Sequence, residues 1–224
     1  MRAYDSRAFQ DRREAGRALA ANLNHYARRD DVAVLALPRG GVPVGAEVAG
    51  ALGAPLDIFL VRKLGTPGHR ELAMGAIASG GVRVLNEDVI AWYRIPEAAI
   101  DAVAREEQAE LDRREATYRH GRSPVELQNR IVLLVDDGLA TGSTMKAAVQ
   151  AVRAHGPSRI VVAVPVGSPE TCRQLRDVAD EVICGRTPEH FAAVGQWYLD
   201  FSQTTDEEVG NLLQASPETV SKDG

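Results

Sequence analysis

Two adjacent carboxylates, Asp136 and Asp137, carry the strongest chemical signal in the sequence. They follow a short apolar run, residues 131–135, which is typical of a buried strand, and they precede a loop of small and hydroxyl residues that opens a helix. Backbone N–H groups at a helix N-terminus bind anions. Carboxylates are poor phosphate ligands but good acceptors for sugar hydroxyls. One ligand with a phosphate and a vicinal diol therefore satisfies both halves of the pattern.

The same residues allow other interpretations, which can be tested against known motifs. An acidic pair after a strand is often only a helix cap, which is the main structural alternative. A nucleoside triphosphatase is disfavoured because Ser143 stands where its GxxxxGK[ST] loop requires lysine. A GxGxxG dinucleotide fingerprint is absent, and the five scattered histidines do not indicate a zinc site.

The elements that position this pair are predicted to form a mostly parallel, twisted α/β sheet flanked by helices. Apolar runs at 32–37 and 56–61, joined by a helix that ends near Gly53, indicate a strand–helix–strand unit. Further strands are predicted at 131–135, 159–166 and 181–184. The carboxyl edge of such a sheet is where the ligand belongs.

The remaining segments are predicted from periodicity and turn residues. A first helix begins at Asp11, with Glu14 as its capping-box partner, and a last short helix is capped by Thr205 with Glu208. Residues 64–72 are predicted to be a mobile loop because of their glycines and proline, and residues 73–85 a hairpin. Other helices are predicted at 96–120, after Thr144 through Ala154, and at 169–178.

Residues 132–145, VLLVDDGLATGSTM, resemble the phosphoribosyl pyrophosphate (PRPP) motif of type I phosphoribosyltransferases. The resemblance implies that Asp136 and Asp137 contact the ribose hydroxyls and hold Mg²⁺, the expected cofactor. It also implies that the 5-phosphate is bound by a loop made of Ala140, Thr141, Gly142, Ser143 and Thr144.

Two further segments resemble the same family. The turn after the first strand resembles its pyrophosphate loop, in which glycines allow close backbone approach and Arg39 supplies charge; its residues are Pro38, Arg39, Gly40 and Gly41. Arg62 and Lys63, followed by residues 64–72, resemble a third loop and a lid that closes over the leaving pyrophosphate. The structural alternatives are a tight strand-to-helix turn and a solvated basic turn.

Residues 194–201 resemble the C-terminal hood of purine salvage members of this family, with about one extra residue. The resemblance implies that Trp197 or Tyr198 stacks on an acceptor ring and that Asp200 approaches the metal. The alternative for Trp197 is an ordinary core position.

The activity implied by the resemblance is transfer of the phosphoribosyl group of PRPP to a nitrogenous, nucleobase-like acceptor, with release of pyrophosphate. Hypoxanthine-type members carry Asp at the position of Ala140, so an adenine-like acceptor is favoured here. Glu71 in the predicted lid is then the candidate acid or base. The alternative function is a catalytically weak PRPP-binding regulator that acts through a partner.

Composition bounds the remaining expectations. The 224 residues are 45% hydrophobic with a net charge of -5, which fits a globular protein and disfavours nucleic-acid binding. No apolar stretch is long enough for a membrane span and the N-terminus has no signal-peptide pattern, so a cytoplasmic protein is expected. Cys172 and Cys184 are expected to be reduced thiols.

The domain expectation is a single phosphoribosyltransferase domain over residues 1–204. It includes a helical insertion at about 86–122 and a hood at about 185–204. A short helix and a disordered tail are expected over 205–224. A homodimer is expected, with the charged helix at 96–120 as a candidate dimer or partner surface.

Overall fold

A five-stranded parallel sheet forms the centre of the molecule, with strand order β2-β1-β6-β7-β8. The structure is a computed structural model and describes residues 8–216. The strands of this sheet are β1 (Val32–Ala36), β2 (Leu56–Ile58), β6 (Ile131–Val135), β7 (Arg159–Val166) and β8 (Glu181–Arg186). The predicted fold class is confirmed.

Seven helices occur in the described part of the chain. Their bounds are α1 (Arg12–Asn22), α2 (Gly41–Leu52), α3 (Glu87–Tyr93), α4 (Glu97–Arg119), α5 (Ser143–Arg153), α6 (Pro169–Leu175) and α7 (Asp206–Gln214). Asp11 caps α1 as predicted, and its side chain accepts from the backbone N–H of Glu14 (2.8 Å). Thr205 caps α7 through the N–H of Glu208 (3.1 Å). No described helix has the length and apolar character needed to cross a membrane.

Both faces of the central sheet are covered by helices. Val34 and Leu133 belong to the apolar cluster shared with α1, α2, α4 and α7. Leu35 and Leu134, which are their chain neighbours, belong to the cluster shared with α5 and α6. Successive side chains of a strand point to opposite faces, so β1 and β6 are continuously apolar because neither face meets water.

The apolar run at 56–61, predicted as one strand, divides between two sheets. After β2, Phe59 N still donates to Ala36 O (3.0 Å), whereas Leu60 N donates to the Ser79 hydroxyl (2.9 Å). The chain then enters a second, antiparallel sheet made of β3 (Val61–Thr66), β4 (His69–Ala78) and β5 (Val82–Leu85). The predicted hairpin between β4 and β5 is confirmed.

The prediction that residues 64–72 form a loop is wrong. Most of this segment lies in the β3–β4 hairpin, in which Leu64 pairs with Gly75 and Thr66 with His69. Leu64 and Thr66 are buried on alternate positions, as in an ordinary strand. The glycine and proline content therefore reflects a strand irregularity at Gly65 and a tight turn at Pro67 and Gly68, not a continuous loop.

The prediction of reduced thiols is also wrong, since Cys172 and Cys184 form a disulfide. Cys172 lies in α6 and Cys184 in β8, and these two elements pack together. Gly167 leaves space between them, because a Cβ there would lie 2.6 Å from Cys172 Sγ. The predicted disordered tail lies mostly in residues 217–224, outside the described residues.

Candidate active site

The two carboxylates lie at the carboxyl edge of the central sheet, directly after β6. The turn after β1 lies beside them, because Leu37 N donates to Val135 O (2.9 Å). A side chain at Gly40 would collide with the Asp137 carboxylate, and a Cβ at Gly41 would lie 2.7 Å from Val135 O. The residues predicted for the acidic motif and for the pyrophosphate loop are therefore adjacent, and glycine is what permits the close approach.

Each carboxylate has one oxygen bound by the protein. Asp136 Oδ1 accepts from the backbone N–H of Asp137 (2.8 Å), and Asp137 Oδ2 accepts from Nε of Arg12 (2.8 Å). For Asp136 Oδ2 and Asp137 Oδ1 the described residues 8–216 show no hydrogen bond from another residue. Each carboxylate therefore keeps one acceptor oxygen for a ligand.

Burial and mutual repulsion control the charge of this pair. Burial, and then the neighbouring Asp137 carboxylate, raise the pKa of Asp136 well above its ordinary value. Burial also raises the pKa of Asp137, but the hydrogen bond and charge of Arg12 act in the opposite direction. A cationic ligand or a set of hydroxyl donors would relieve the repulsion.

The loop after the pair forms an open helix N-terminus. Gly142, with φ of 69°, precedes α5, and no side chain caps this helix. The backbone N–H groups of residues 141–144 donate to no acceptor within the described chain. Thr171 holds the loop from below by donating its hydroxyl to Ala140 O, and Leu139 N donates to Val166 O (3.0 Å). Four free donors at a fixed helix start can bind an anion.

Two of the predicted cations point away from the carboxylates. The Arg39 guanidinium lies 3.5 Å from Asp206 Oδ1 of α7. Arg62 forms an ion pair with Glu107 of α4 (2.5 Å), so it joins the second sheet to the helical insertion. Arg62 is also not at the end of a central strand, as the sequence suggested, but the second residue of β3.

Lys63 and Glu71 lie together on the β3–β4 hairpin. Lys63 Nζ donates to Glu71 O (3.3 Å), and its distance to Glu71 Oε2 is 3.9 Å. Lys63 also lines a cavity of about 510 Å³ whose wall includes Ser143 and Thr144. The structure thus brings Lys63 beside the predicted phosphate loop, whereas Glu71 is fully exposed.

The segment predicted to be the hood is anchored to the start of the described chain. Phe9 N donates to Trp197 O (2.8 Å), and Leu199 N donates to Phe9 O (2.8 Å). Tyr198 is only 6% exposed, and its ring contacts those of Phe9 and Phe201. Its hydroxyl donates to Asp137 O (2.6 Å). Tyr198 therefore joins the hood to the acidic loop and has no free ring face for an acceptor, while Trp197 packs half-buried against the same cluster.

Asp200 is not brought together with the acidic pair in a metal cluster. It is exposed, and its Oδ1 accepts from Ser202 N (2.9 Å), which lowers the pKa of this carboxyl. Within residues 8–216 no three His, Cys, Asp or Glu side chains form a group that could hold a metal ion. A metal here would need ligand oxygens in addition to Asp136 and Asp137.

Two residues near the site could not be, or were not, identified by reasoning from the sequence. Arg12 lies 125 positions from Asp137 in the chain, and nothing local in the sequence marks the contact. Phe191 lines a cavity of about 630 Å³ together with Ala140 and Thr141. A signal for Phe191 was available, since it is an aromatic residue shortly after β8 and at the start of the hood.

Comparisons with known proteins agree with this arrangement. A family model described as a phosphoribosyl transferase domain matches residues 7–202. The protein named "Putative phosphoribosyl transferase Rv0571c" from Mycobacterium tuberculosis H37Rv is 51% identical over 205 residues, which is 92% of this chain and 46% of that protein. Its counterpart MT0597 from strain CDC 1551 matches equally. The chain thus spans about half the length of these curated relatives.

A solved structure is similar over nearly its whole length. The protein TT1426 from Thermus thermophilus has 45% sequence identity and a TM-score of 0.82, and the match covers 92% of this chain and 97% of that one. The family model covers the central sheet, the acidic pair and most of the hood. The chain therefore belongs to the phosphoribosyltransferase family.

Proposed function

We propose that this chain transfers the phosphoribosyl group of PRPP to a ring nitrogen of a heteroaromatic acceptor and releases pyrophosphate. One observation carries the proposal. Two free carboxylate oxygens, on Asp136 and Asp137, stand next to a helix start whose N–H groups are unpaired within the described chain. A vicinal diol can donate to the first and a phosphate can accept from the second.

The ligand can be divided among the elements of the site. The ribose hydroxyls would bind Asp136 and Asp137, and the 5-phosphate the loop at residues 140–144. The diphosphate would lie along the turn at Gly40 and Gly41, where no side chain blocks the backbone. Catalysis in this arrangement comes from positioning and charge neutralisation, since no nucleophilic side chain is required.

The donors at the acidic pair suit Mg²⁺. This ion prefers oxygen ligands, keeps several waters, and is often held by one or two carboxylates plus substrate phosphates. The free oxygens of Asp136 and Asp137 meet that requirement, and the negative charge of the pair favours a cation. When bound, Mg²⁺ would supply positive charge for the departing pyrophosphate. Asp200 is left out of this proposal because its geometry does not place it with the pair.

The acceptor is assigned to the cavity beside the hood. Ala140, Thr141 and Phe191 all line this cavity, so a flat ring could stack on Phe191 near the loop. Ala140 cannot exchange a proton, and Glu71 lies on the hairpin in contact with Lys63. We therefore propose adenine-like or other heteroaromatic amines ahead of hypoxanthine and guanine.

The predicted cytoplasmic location stays a prediction, and a disulfide is uncommon in that compartment.

Binding of PRPP with Mg²⁺, measured by calorimetry, tests the proposed site. Asp136→Asn combined with Asp137→Asn should weaken binding by about a hundredfold or more, because two charged hydrogen bonds of roughly 1.5–3 kcal/mol each are lost. Asp177→Asn, which removes an exposed carboxylate elsewhere, is the matched control and should bind normally. Unchanged affinity in the double variant would refute the site.

Turnover of PRPP with a panel of bases tests the reaction itself. Release of pyrophosphate should be fastest with adenine-like acceptors. If guanine or hypoxanthine reacts fastest, the interpretation of Ala140 is wrong. If PRPP binds but no acceptor reacts, a PRPP-binding regulator becomes the better account.

A further inference from the structure

Arg12 reaches the candidate site from the first turn of α1 and contacts both the acidic loop and the hood segment. Its Nε donates to Asp137 Oδ2 (2.8 Å), and its Nη1 donates to Ser202 O (2.7 Å). The guanidinium lies over the ring of Phe201, 4.0 Å from its centre. One side chain therefore connects α1, the acidic loop and the hood.

We infer that Arg12 is a positioning residue, which fixes the Asp137 carboxylate so that its free oxygen faces the ribose hydroxyls of the ligand and which links that carboxylate to the hood. This inference rests on the proposed function, because it names a further determinant of the same diol site. Arg12 acts through Asp137, so it is not assigned a contact with the substrate.

The geometry of the carboxylate is the first argument. A carboxylate can rotate about its Cβ–Cγ bond, and a diol needs its acceptor oxygen at one orientation. Arg12 holds Oδ2 from one side, while Gly40 leaves no room for a side chain beside the same oxygen. Oδ1 then remains as the oxygen that the ligand can use.

Burial supports a specific role for this contact. The Arg12 and Asp137 side chains are 12% and 14% exposed, so the pair is shielded from most of the solvent but not enclosed in the core. An exposed ion pair contributes little to stability, and a shielded pair holds its geometry better because water competes less. The pair lies at the edge of the cleft, where orientation matters for a ligand.

The other cations proposed from the sequence do not contact this carboxylate. Arg39 lies beside Asp206, and Arg62 beside Glu107. Lys63 is held by the hairpin residue Glu71. Arg12, which the sequence did not single out, does contact Asp137.

Arginine at position 12 also suits the hood contact better than lysine. The planar guanidinium donates in two directions at once and stacks on Phe201, whereas an ammonium group is a compact point charge without a planar face. Arg12→Lys should keep the charge beside Asp137 but not both directed hydrogen bonds. The variant is therefore expected to be intermediate between wild type and Arg12→Gln.

The test compares two sugar phosphates that differ in one hydroxyl. Ribose 5-phosphate carries the vicinal diol, and 2-deoxyribose 5-phosphate lacks half of it, while both carry the same phosphate. Their affinities, together with that of PRPP with Mg²⁺, are measured on wild type, Arg12→Gln, Arg12→Lys and Arg17→Gln. Arg17 is an exposed residue of α1 near Glu47 and is the matched control. Thermal unfolding of each variant is recorded in parallel.

Wild type and Arg17→Gln should prefer ribose 5-phosphate by about tenfold, and Arg12→Gln should lose that preference and bind PRPP at least tenfold more weakly. Arg12→Lys should restore part of the preference. A lower melting temperature of Arg12→Gln with wild-type PRPP affinity and wild-type preference overturns the inference and leaves the proposed function intact. Failure of wild type to bind PRPP overturns both. If Arg12→Gln does not fold, Arg12→Lys decides, since an undiminished preference in that variant contradicts the inference.

Discussion

At the residue scale, the Tyr198 hydroxyl connects the hood to the backbone of the acidic loop. The ring is buried against Phe9 and Phe201, and the hydroxyl donates to Asp137 O. Burial, and then the charge of Asp137, raise the pKa of Tyr198 far above the ordinary 10.0. The phenol therefore stays protonated wherever the protein is folded at neutral pH, and its role is structural support of the site.

Tyr198→Phe should lower the free energy of unfolding by about 1–3 kcal/mol at pH 7.5, because the Asp137 carbonyl loses its donor. The folded-state pKa lies above the unfolded value of 10.0, so the contribution is complete below pH 10 and declines as the pH rises through the folded-state pKa. The difference between wild type and variant, measured by urea unfolding, should narrow above pH 10. Tyr93→Phe, which alters an exposed ring, is the control; a constant difference across this range contradicts the prediction.

The sequence predicted those parts of the site whose functional residues lie close together along the chain. Asp136 and Asp137 followed by the open start of α5 could be identified because strand, acids and loop lie within 14 residues, 131–144. Arg12 could not, because its partner is 125 positions away and only the packing of α1 against α2 and β7 brings them together. The directions of the Arg39 and Arg62 side chains were equally unpredictable, because their ion-pair partners lie in α7 and α4.

At the element scale, α6 supports the phosphate loop and is itself fixed to the edge strand β8. Thr171 donates to Ala140 O, and its neighbour Cys172 is bonded to Cys184. Two spaced cysteines in the sequence gave no sign of this pairing, because a helix and a strand must first pack to bring them together. The β3–β4 hairpin shows a similar effect, since pairing with β4 overrides the local glycine and proline signals.

The disulfide should be measurable as a stabilising crosslink. Reduction should lower the free energy of unfolding by about 3 kcal/mol, as expected for a closed loop of this size. Thermal unfolding with and without reductant should show a decrease for wild type and none for the double variant Cys172→Ala, Cys184→Ala. Alkylation followed by mass spectrometry should find no free thiol in the native, unreduced protein. Two alkylated cysteines would restore the expectation of reduced thiols.

At the scale of the whole molecule, the sequence predicted the class of the fold but not its division into two sheets. Buried strands separated by helices require a parallel sheet covered on both faces, which is what the molecule has. The strand order depends on contacts between distant segments. So does the point at Phe59 and Leu60 where the chain leaves the central sheet for the second sheet, which is fixed by contacts such as that of Leu60 with Ser79. The boundaries of the predicted insertion and hood stay predictions, although Arg119 of α4 binds Asp57 of β2 and so fixes the insertion to the central sheet.

The homodimer stays a prediction, and the exposed apolar side chains favour the surface of α3 and the adjoining strand β5 for it over the charged helix at 96–120. No residue of α3 is buried, and Trp92 is 83% exposed, Tyr93 44% and Leu85 37%. Exposed large apolar side chains on neighbouring elements are typical of interaction surfaces, and tryptophan is a frequent centre of binding energy in such surfaces. We therefore expect this face to contact a second copy of the chain.

Sedimentation equilibrium should find a dimer, and Trp92→Ser should raise its dissociation constant at least tenfold, since truncating a central tryptophan commonly costs about 2 kcal/mol or more. Leu199→Ser, which changes another exposed apolar residue at 70% exposure in the hood, should leave the dimer unchanged. The sequence has two tryptophans, Trp92 and Trp197. As the protein concentration rises and the dimer forms, burial of Trp92 should shift the emission maximum to shorter wavelength. This shift should disappear in Trp92→Ser, while the emission of Trp197 persists. The prediction is contradicted if wild type is monomeric at every concentration, or if Trp92→Ser dimerises as tightly as wild type. In either case the surface of α3 does not bind a second copy of the chain.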